Sequence, residues 1–299
     1  MLLNIEKLKV EARGEEGWTP ILHGVDLQVA RGEVVGLIGE SGAGKSTLGL
    51  AALGFAQGGL RFAGGRVIFD GTDLLQLPER RRCAFRGRRV AYVAQSAAAS
   101  FNPAWRLLDQ FCEGPAIHHT AGRVESEVFA RQLYAAMHLP DPKNFGLRFP
   151  HQVSGGQLQR AMVAMAMACK PDLIVFDEPT TALDVTTQIG VLAAIRQAVE
   201  TTGTAAIYIT HDLAVVAQMA DRIKVMRHGR EVEEAPTRRM IEAPAQDYTR
   251  SLWAVREFRR PPRALPDRSA WATARWPRAV SPTCRTAPIW PGSAPITCR

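Results

Sequence analysis

A chain of 299 residues is long enough for one large domain or two small ones with an ample core. Its 46% hydrophobic and 22% charged content is that of an ordinary globular protein, and no apolar run, Ala161–Cys169 being about the longest, reaches the 18 or so residues of a membrane span. The net charge of +8 is a property of the last stretch: residues 251–299 carry nine arginines against Glu257 and Asp267, leaving 28 basic and 27 acidic residues in the first 250, which argues against a nucleic-acid partner.

The N-terminus, Met1-Leu2-Leu3-Asn4-Ile5-Glu6-Lys7, has no signal-peptide layout. Residues 2–10 and 25–29 alternate apolar and polar like antiparallel strands, with the turn-rich Arg13–Gly17 between them. Trp18 leads into the second strand, either as exposed core packing or as a ring to stack on a nucleotide base. Glu33–Ile38 reads as a short buried strand and Thr47–Leu53 as the start of a helix. Between them lies Gly39-Glu40-Ser41-Gly42-Ala43-Gly44-Lys45-Ser46-Thr47, a full match to G-x-x-x-x-G-K-S/T. In such a loop, glycines let successive backbone N–H groups face phosphate oxygens, and the helix N-terminus adds its partial positive charge. Lys45 is placed to reach the β- and γ-phosphates of ATP, and Ser46 to hold Mg²⁺.

Gly64–Gly71 reads as a strand ending in a turn. Arg80, Arg81, Arg82, Arg86, Arg88 and Arg89 form a basic cluster that suits a solvated loop or helix face. Val90–Gln95 is a short strand closing on Gln95, where ligands bind in an α/β sheet. There its carbonyl oxygen could contact Mg²⁺ or position a water; the alternative is a plain strand-end residue. From about Ser100 to Pro150 apolar residues recur at three and four (Leu107, Leu108, Phe111, Cys112; then Val124, Val128, Leu133, Met137), a helical block inserted into the βα pattern.

Val153-Ser154-Gly155-Gly156-Gln157 then precedes an apolar helix running to Cys169. Ser154 can cap that helix, and the glycines expose N–H groups, making an anion site with no lysine of its own and so half of a site completed elsewhere. Leu173–Glu178 is an unbroken apolar strand ending in two carboxylates, costly unless used. Asp177 suits a contact to Mg²⁺ and Glu178 the polarisation of an attacking water. Thr181-Ala182-Leu183-Asp184 makes a turn into a helix over 185–199. Ala205–Thr210 is a further buried strand ending at His211, which could bond the γ-phosphate and the water or merely cap the helix from Leu213. Ile223–Met226 and Glu231-Val232 read as a closing hairpin.

Taken in order, these elements resemble the nucleotide-binding subunits of ABC transporters over roughly residues 2–250. The resemblance implies an α/β fold: a P-loop NTPase core of ABC type with an antiparallel β subdomain and an inserted helical subdomain at about 96–170. It makes Gly39–Thr47 the Walker A loop, Gln95 the Q-loop glutamine, Asp177 the end of Walker B, Glu178 the catalytic glutamate and His211 the switch histidine. Ser154, Gly155, Gly156 and Gln157 belong to the signature loop, which binds ATP held by a second ATPase subunit, with Asp184 on the D-loop at the same interface. Val153 stands where leucine is usual, and Trp18 falls only near the expected aromatic position.

Ser100-Phe101-Asn102-Pro103, Phe149-Pro150-His151-Gln152, the run 177–186 and Gln246-Asp247-Tyr248-Thr249-Arg250 further resemble the oligopeptide/dipeptide/nickel importer subfamily. That implies an ATPase at the cytoplasmic face of the inner membrane, working with two transmembrane permeases and, indirectly, a solute-binding protein. A soluble ABC ATPase of an enzyme complex such as the phosphonate C–P lyase machinery is the alternative, and a DNA-repair or translation ABC protein a third. Residues 251–299, rich in proline and arginine and holding Cys284 and Cys298, match nothing in the resemblance; we expect a disordered tail or a shifted reading frame. The five cysteines, with Cys83, Cys112 and Cys169, show no metal spacing and fit a reduced compartment.

Overall fold

The computed structural model describes residues 1–180, 188, 191–193, 195–197, 199 and 203–254. The chain divides into two units, Met1–Leu265 and Pro266–Arg299, and every described residue lies in the first. The expected turn at Thr181–Asp184 and the arginine-rich tail beyond 254 lie outside the described residues.

Two sheets organise the first unit. One is antiparallel, in the order β2-β1-β4-β5, from β1 (Leu3–Gly14), β2 (Gly17–Val29), β4 (Leu60–Phe69) and β5 (Thr72–Asp73). The other has six strands in the order β10-β9-β3-β8-β7-β6, from β3 (Val34–Ile38), β6 (Val90–Val93), β7 (Leu173–Asp177), β8 (Ala205–Ile209), β9 (Arg222–Arg227) and β10 (Arg230–Pro236). Its central pairings are parallel and only the β9–β10 hairpin is antiparallel. β3, β7 and β8 are buried at every position, as unbroken apolar runs require when both sheet faces are covered. Each of their large aliphatic side chains contributes about 1.5–3 kcal/mol by leaving water.

β2 begins eight residues before the 25–29 read from the sequence. Its pairing with β1 shifts register at three places, and each shift breaks the period-two pattern that alternation depends on. The helical block contains α4 (Leu107–Ile117) and α5 (Arg123–Ala136), and leads to α6 (Gly155–Ala166). Phe111, Tyr134 and Phe145 pack edge to face at its centre, with centroids 5.2–6.0 Å apart. Described residues between 188 and 199 are helical, with Val191, Leu192, Ile195 and Val199 buried, which fits the expected helix there. No helix among the described residues is long and apolar enough to cross a membrane.

The arginine cluster proves more structural than a solvated face. Arg82 and Arg86 donate to the carbonyls of Leu53 and Gly54, just past α1 (Lys45–Ala51), at 2.7–3.1 Å. These carbonyls lie one and two residues past the C-cap Ala52, so the two arginines tie down the turn that follows the helix. Arg89 bridges Asp70 and Asp172 at 2.8 and 2.7 Å, whereas Arg80, Arg81 and Arg88 are exposed as expected.

Candidate ATP site

The parallel strands β3, β7 and β8 deliver the functional residues to one edge of the sheet, at their carboxyl ends. Gly39 leaves β3 with φ 149°, and a Cβ there would lie 2.1 Å from the Met226 carbonyl oxygen of β9, so only glycine fits. Gly44 caps α1 in the left-handed region at φ 93°, turning the chain from loop to helix. Lys45 starts that helix. Its ammonium donates to the Gly39 and Glu40 carbonyls at 2.9 and 2.8 Å, wrapping the lysine around its own loop. It is buried, and burial pushes its pKa below the ordinary lysine value against the opposing pull of Glu178 and Asp177. A desolvated cation held by two backbone carbonyls at the head of a helix is a strong match for a polyphosphate.

Ser46 Oγ donates to Asp177 Oδ1 at 3.1 Å, joining α1 to the end of β7. Asp177 is only 6% exposed, and its other oxygen accepts from the Tyr92 hydroxyl at 2.5 Å. A hydroxyl and a carboxylate meeting beside a phosphate loop are hard oxygen donors of the kind Mg²⁺ takes, so these residues fit that ion. Tyr92 went unnoticed in the sequence. The signal was there: it is the one polar-tipped side chain within β6, two residues before Ala94 and three before Gln95. Burial raises its phenol well above the usual tyrosine range, keeping it a donor.

The next residue, Glu178, has φ 48°, uncommon for a side chain with a Cβ. Its N–H still pairs with the Ile209 carbonyl at 2.9 Å, which fixes the turn. The left-handed backbone sends its carboxylate away from Asp177 and between two other elements. Gln95 Nε2 donates to Oε2 at 3.0 Å, and His211 Nδ1 lies 3.0 Å from Oε1. Glu178, Gln95 and His211 therefore form one cluster, in which Gln95 meets the glutamate rather than the Ser46–Asp177 pair. The helix cap for which His211 was one candidate falls to its neighbour. Asp212 caps the helix Leu213–Met219, accepting from Ala214 N–H at 2.9 Å, so the histidine is free to face Glu178.

Ser154 caps α6 as expected. It accepts from the Gln157 N–H at 3.3 Å, and the Gln157 Oε1 in turn accepts from the Ser154 N–H at 3.2 Å. Ser154 and Gly155 are exposed at the head of that helix, and these bonds are local, with no tie to the Gly39–Thr47 loop. Trp18 sits near the tip of the β1–β2 hairpin, opposite Arg13, with the Arg61 guanidinium 4.0 Å over its ring. The part of β2 that adjoins the phosphate loop is Ile21–His23: His23 N–H bonds the Gly229 carbonyl, and Gly229 N–H bonds Ala43. Asp184 lies outside the described residues.

Residues 22–181 match the ABC transporter family. The chain belongs to that family. As an ABC ATPase it binds ATP and couples its hydrolysis to transport. It is 38% identical over 288 residues to the probable peptide ABC transporter ATP-binding protein y4tR of Sinorhizobium fredii, covering 95% of this chain and 83% of that one. An alignment of that extent runs into the arginine-rich stretch after residue 250. The dipeptide transport ATP-binding protein DppD of Escherichia coli K12 is 37% identical, over 86% of this ABC ATPase and 79% of DppD. Among solved structures, the dimeric post-hydrolysis state of the ATP-binding cassette MJ0796 bound to ADP and Pi superposes with a TM-score of 0.70. At 23% identity over 79% of this chain and 99% of that one, it shows the shared fold.

Proposed function

We propose that this ABC ATPase powers an importer of peptides or similar small solutes, at the cytoplasmic face of the inner membrane. The observation that carries the catalytic half is the pairing of two neighbouring carboxylates with separate partners: Asp177 with Ser46, and Glu178 with Gln95 and His211. The solute class follows the peptide and dipeptide transporters to which the chain is similar, which favours an importer over a C–P lyase component.

In this reading the Gly39–Thr47 backbone and Lys45 hold the phosphates of ATP, and Lys45 exchanges its two carbonyl partners for phosphate oxygens. Mg²⁺, when bound, neutralises phosphate charge; Ser46 and Asp177 would hold it, with Gln95 close by through Glu178. Glu178 accepts a proton from water, and His211 orients the carboxylate from its other side. Trp18, with Arg61 on one face, would stack on the base. Ser154–Gln157 exposes helix-start donors without a lysine, so it serves the site of a second ATPase subunit, with Asp184 at the same interface. The helical block around 96–150, where Trp105 is 49% exposed, would hold the groove for the permeases' coupling helices. Uptake of a labelled dipeptide by the reconstituted complex tests this. Lys45→Ala and Glu178→Gln should each abolish uptake, and intact uptake in either would defeat the proposal.

A further inference from the structure

The two acids at the end of β7 are adjacent in sequence, and each is held by a residue from the end of β6. Gln95 bonds Glu178, and three residues earlier Tyr92 bonds Asp177. β6 lies beside β7 in parallel register, with Tyr92 opposite Val175, so the ring reaches diagonally forward to the residue two places on. Asp177 thereby has a donor on each oxygen, Ser46 from α1 and Tyr92 from β6. Two donors, one on each oxygen, hold both the rotamer and the plane of the carboxylate. In a site 6% exposed, bonds to a charged group are stronger than in water, and water cannot readily replace one that is lost.

We propose that Tyr92 is a positioning residue of the ATP site: its hydroxyl holds Asp177 so that Oδ1 and Ser46 Oγ together face the divalent cation of the bound nucleotide. This rests on the reading that Ser46 and Asp177 hold that cation. Tyr92 touches neither phosphate nor water in that scheme and acts only through Asp177. A purely structural tyrosine would affect folding stability and nothing specific to the metal.

The separating measurement is nucleotide affinity by calorimetry, with ATP in excess EDTA and with ATP in Mg²⁺, on the purified chain. Binding of Mn²⁺ in the presence of ATP, followed by its paramagnetic resonance, gives a second readout. Tyr92→Phe removes the hydroxyl and keeps the ring; Tyr92→Met supplies a second hydroxyl-free filling should the first fail to fold. The expected result is unchanged affinity in EDTA, with the gain conferred by Mg²⁺ reduced about five- to tenfold and Mn²⁺ bound correspondingly more weakly. A Mg²⁺ gain equal to that of the unchanged protein overturns the role of Tyr92. Absence of any Mg²⁺ gain in the unchanged protein overturns the cation reading beneath it, and the proposal falls with it.

Discussion

Replacing Glu178 by glutamine separates catalysis from binding at this site. The side chain is mostly buried and accepts from Gln95 through one oxygen and meets His211 through the other, both at 3.0 Å. Glutamine has the same shape and keeps one accepting oxygen, so one of the two bonds survives. Losing the other costs about 1–2 kcal/mol of stability, which in a domain of this size lowers Tm by roughly 2–8 °C. The chemical loss is larger. A positioned general base contributes about 10²–10⁴-fold, or roughly 3–5 kcal/mol of barrier, and an amide cannot take the proton. Glu178 acts on the loop's Lys45 through its charge and holds Gln95 and His211 through its oxygens, so ATP affinity should change far less than turnover. The assay is phosphate release by the chain assembled with its partner subunits, alongside ATP binding by the variant alone. A fall of less than tenfold in turnover, or a parallel loss of ATP affinity, would refute the assignment of Glu178 as the base.

Three further outcomes follow from the geometry. Gly39→Ala drives a methyl into the Met226 carbonyl and forces a positive φ on alanine, so urea denaturation should show a loss of about 3 kcal/mol or more. Asp212→Ala removes the cap that leaves His211 free, and should cost about 1 kcal/mol in thermal melts while also slowing hydrolysis. The guanidinium groups of Arg89 and then Arg31 hold the Asp70 carboxyl below its ordinary value of 3.8. A lowered folded pKa contributes stability above that value and loses it as the pH falls through the folded pKa. The stability gap between the unchanged protein and Asp70→Asn should therefore narrow on acidification below about pH 3.8, followed by urea midpoints.

The candidate site residues were legible because their chemistry is local in sequence. A glycine loop between an apolar strand and a helix, or two acids ending an apolar strand, is anomalous on its own terms. The loop's helix begins at Lys45, two residues before the position read from the pattern, because Gly44 already turns the chain. What stayed hidden depends on contacts between distant segments. Tyr92 reveals its role only when β6 is laid beside β7, and the structural part of the arginine cluster only when α1 ends against it. Whether His211 caps its helix could not be read from its own surroundings; Asp212, the next residue, takes the cap. Glu178 carries a left-handed backbone that no residue-type preference announces, and that turn is what parts it from Asp177. β2 was read too short because its bulges erase the alternation that identifies strands.

The central claim, an ATPase that drives an importer, is tested most directly by capturing its complex. Tagged Glu178→Gln protein, loaded with ATP to hold a closed dimer, is drawn from native membranes and its companions identified by mass spectrometry. The expected companions are a second ABC ATPase and two polytopic permeases, absent when Lys45→Ala is used instead. Soluble enzymes recovered without any permease would contradict the account.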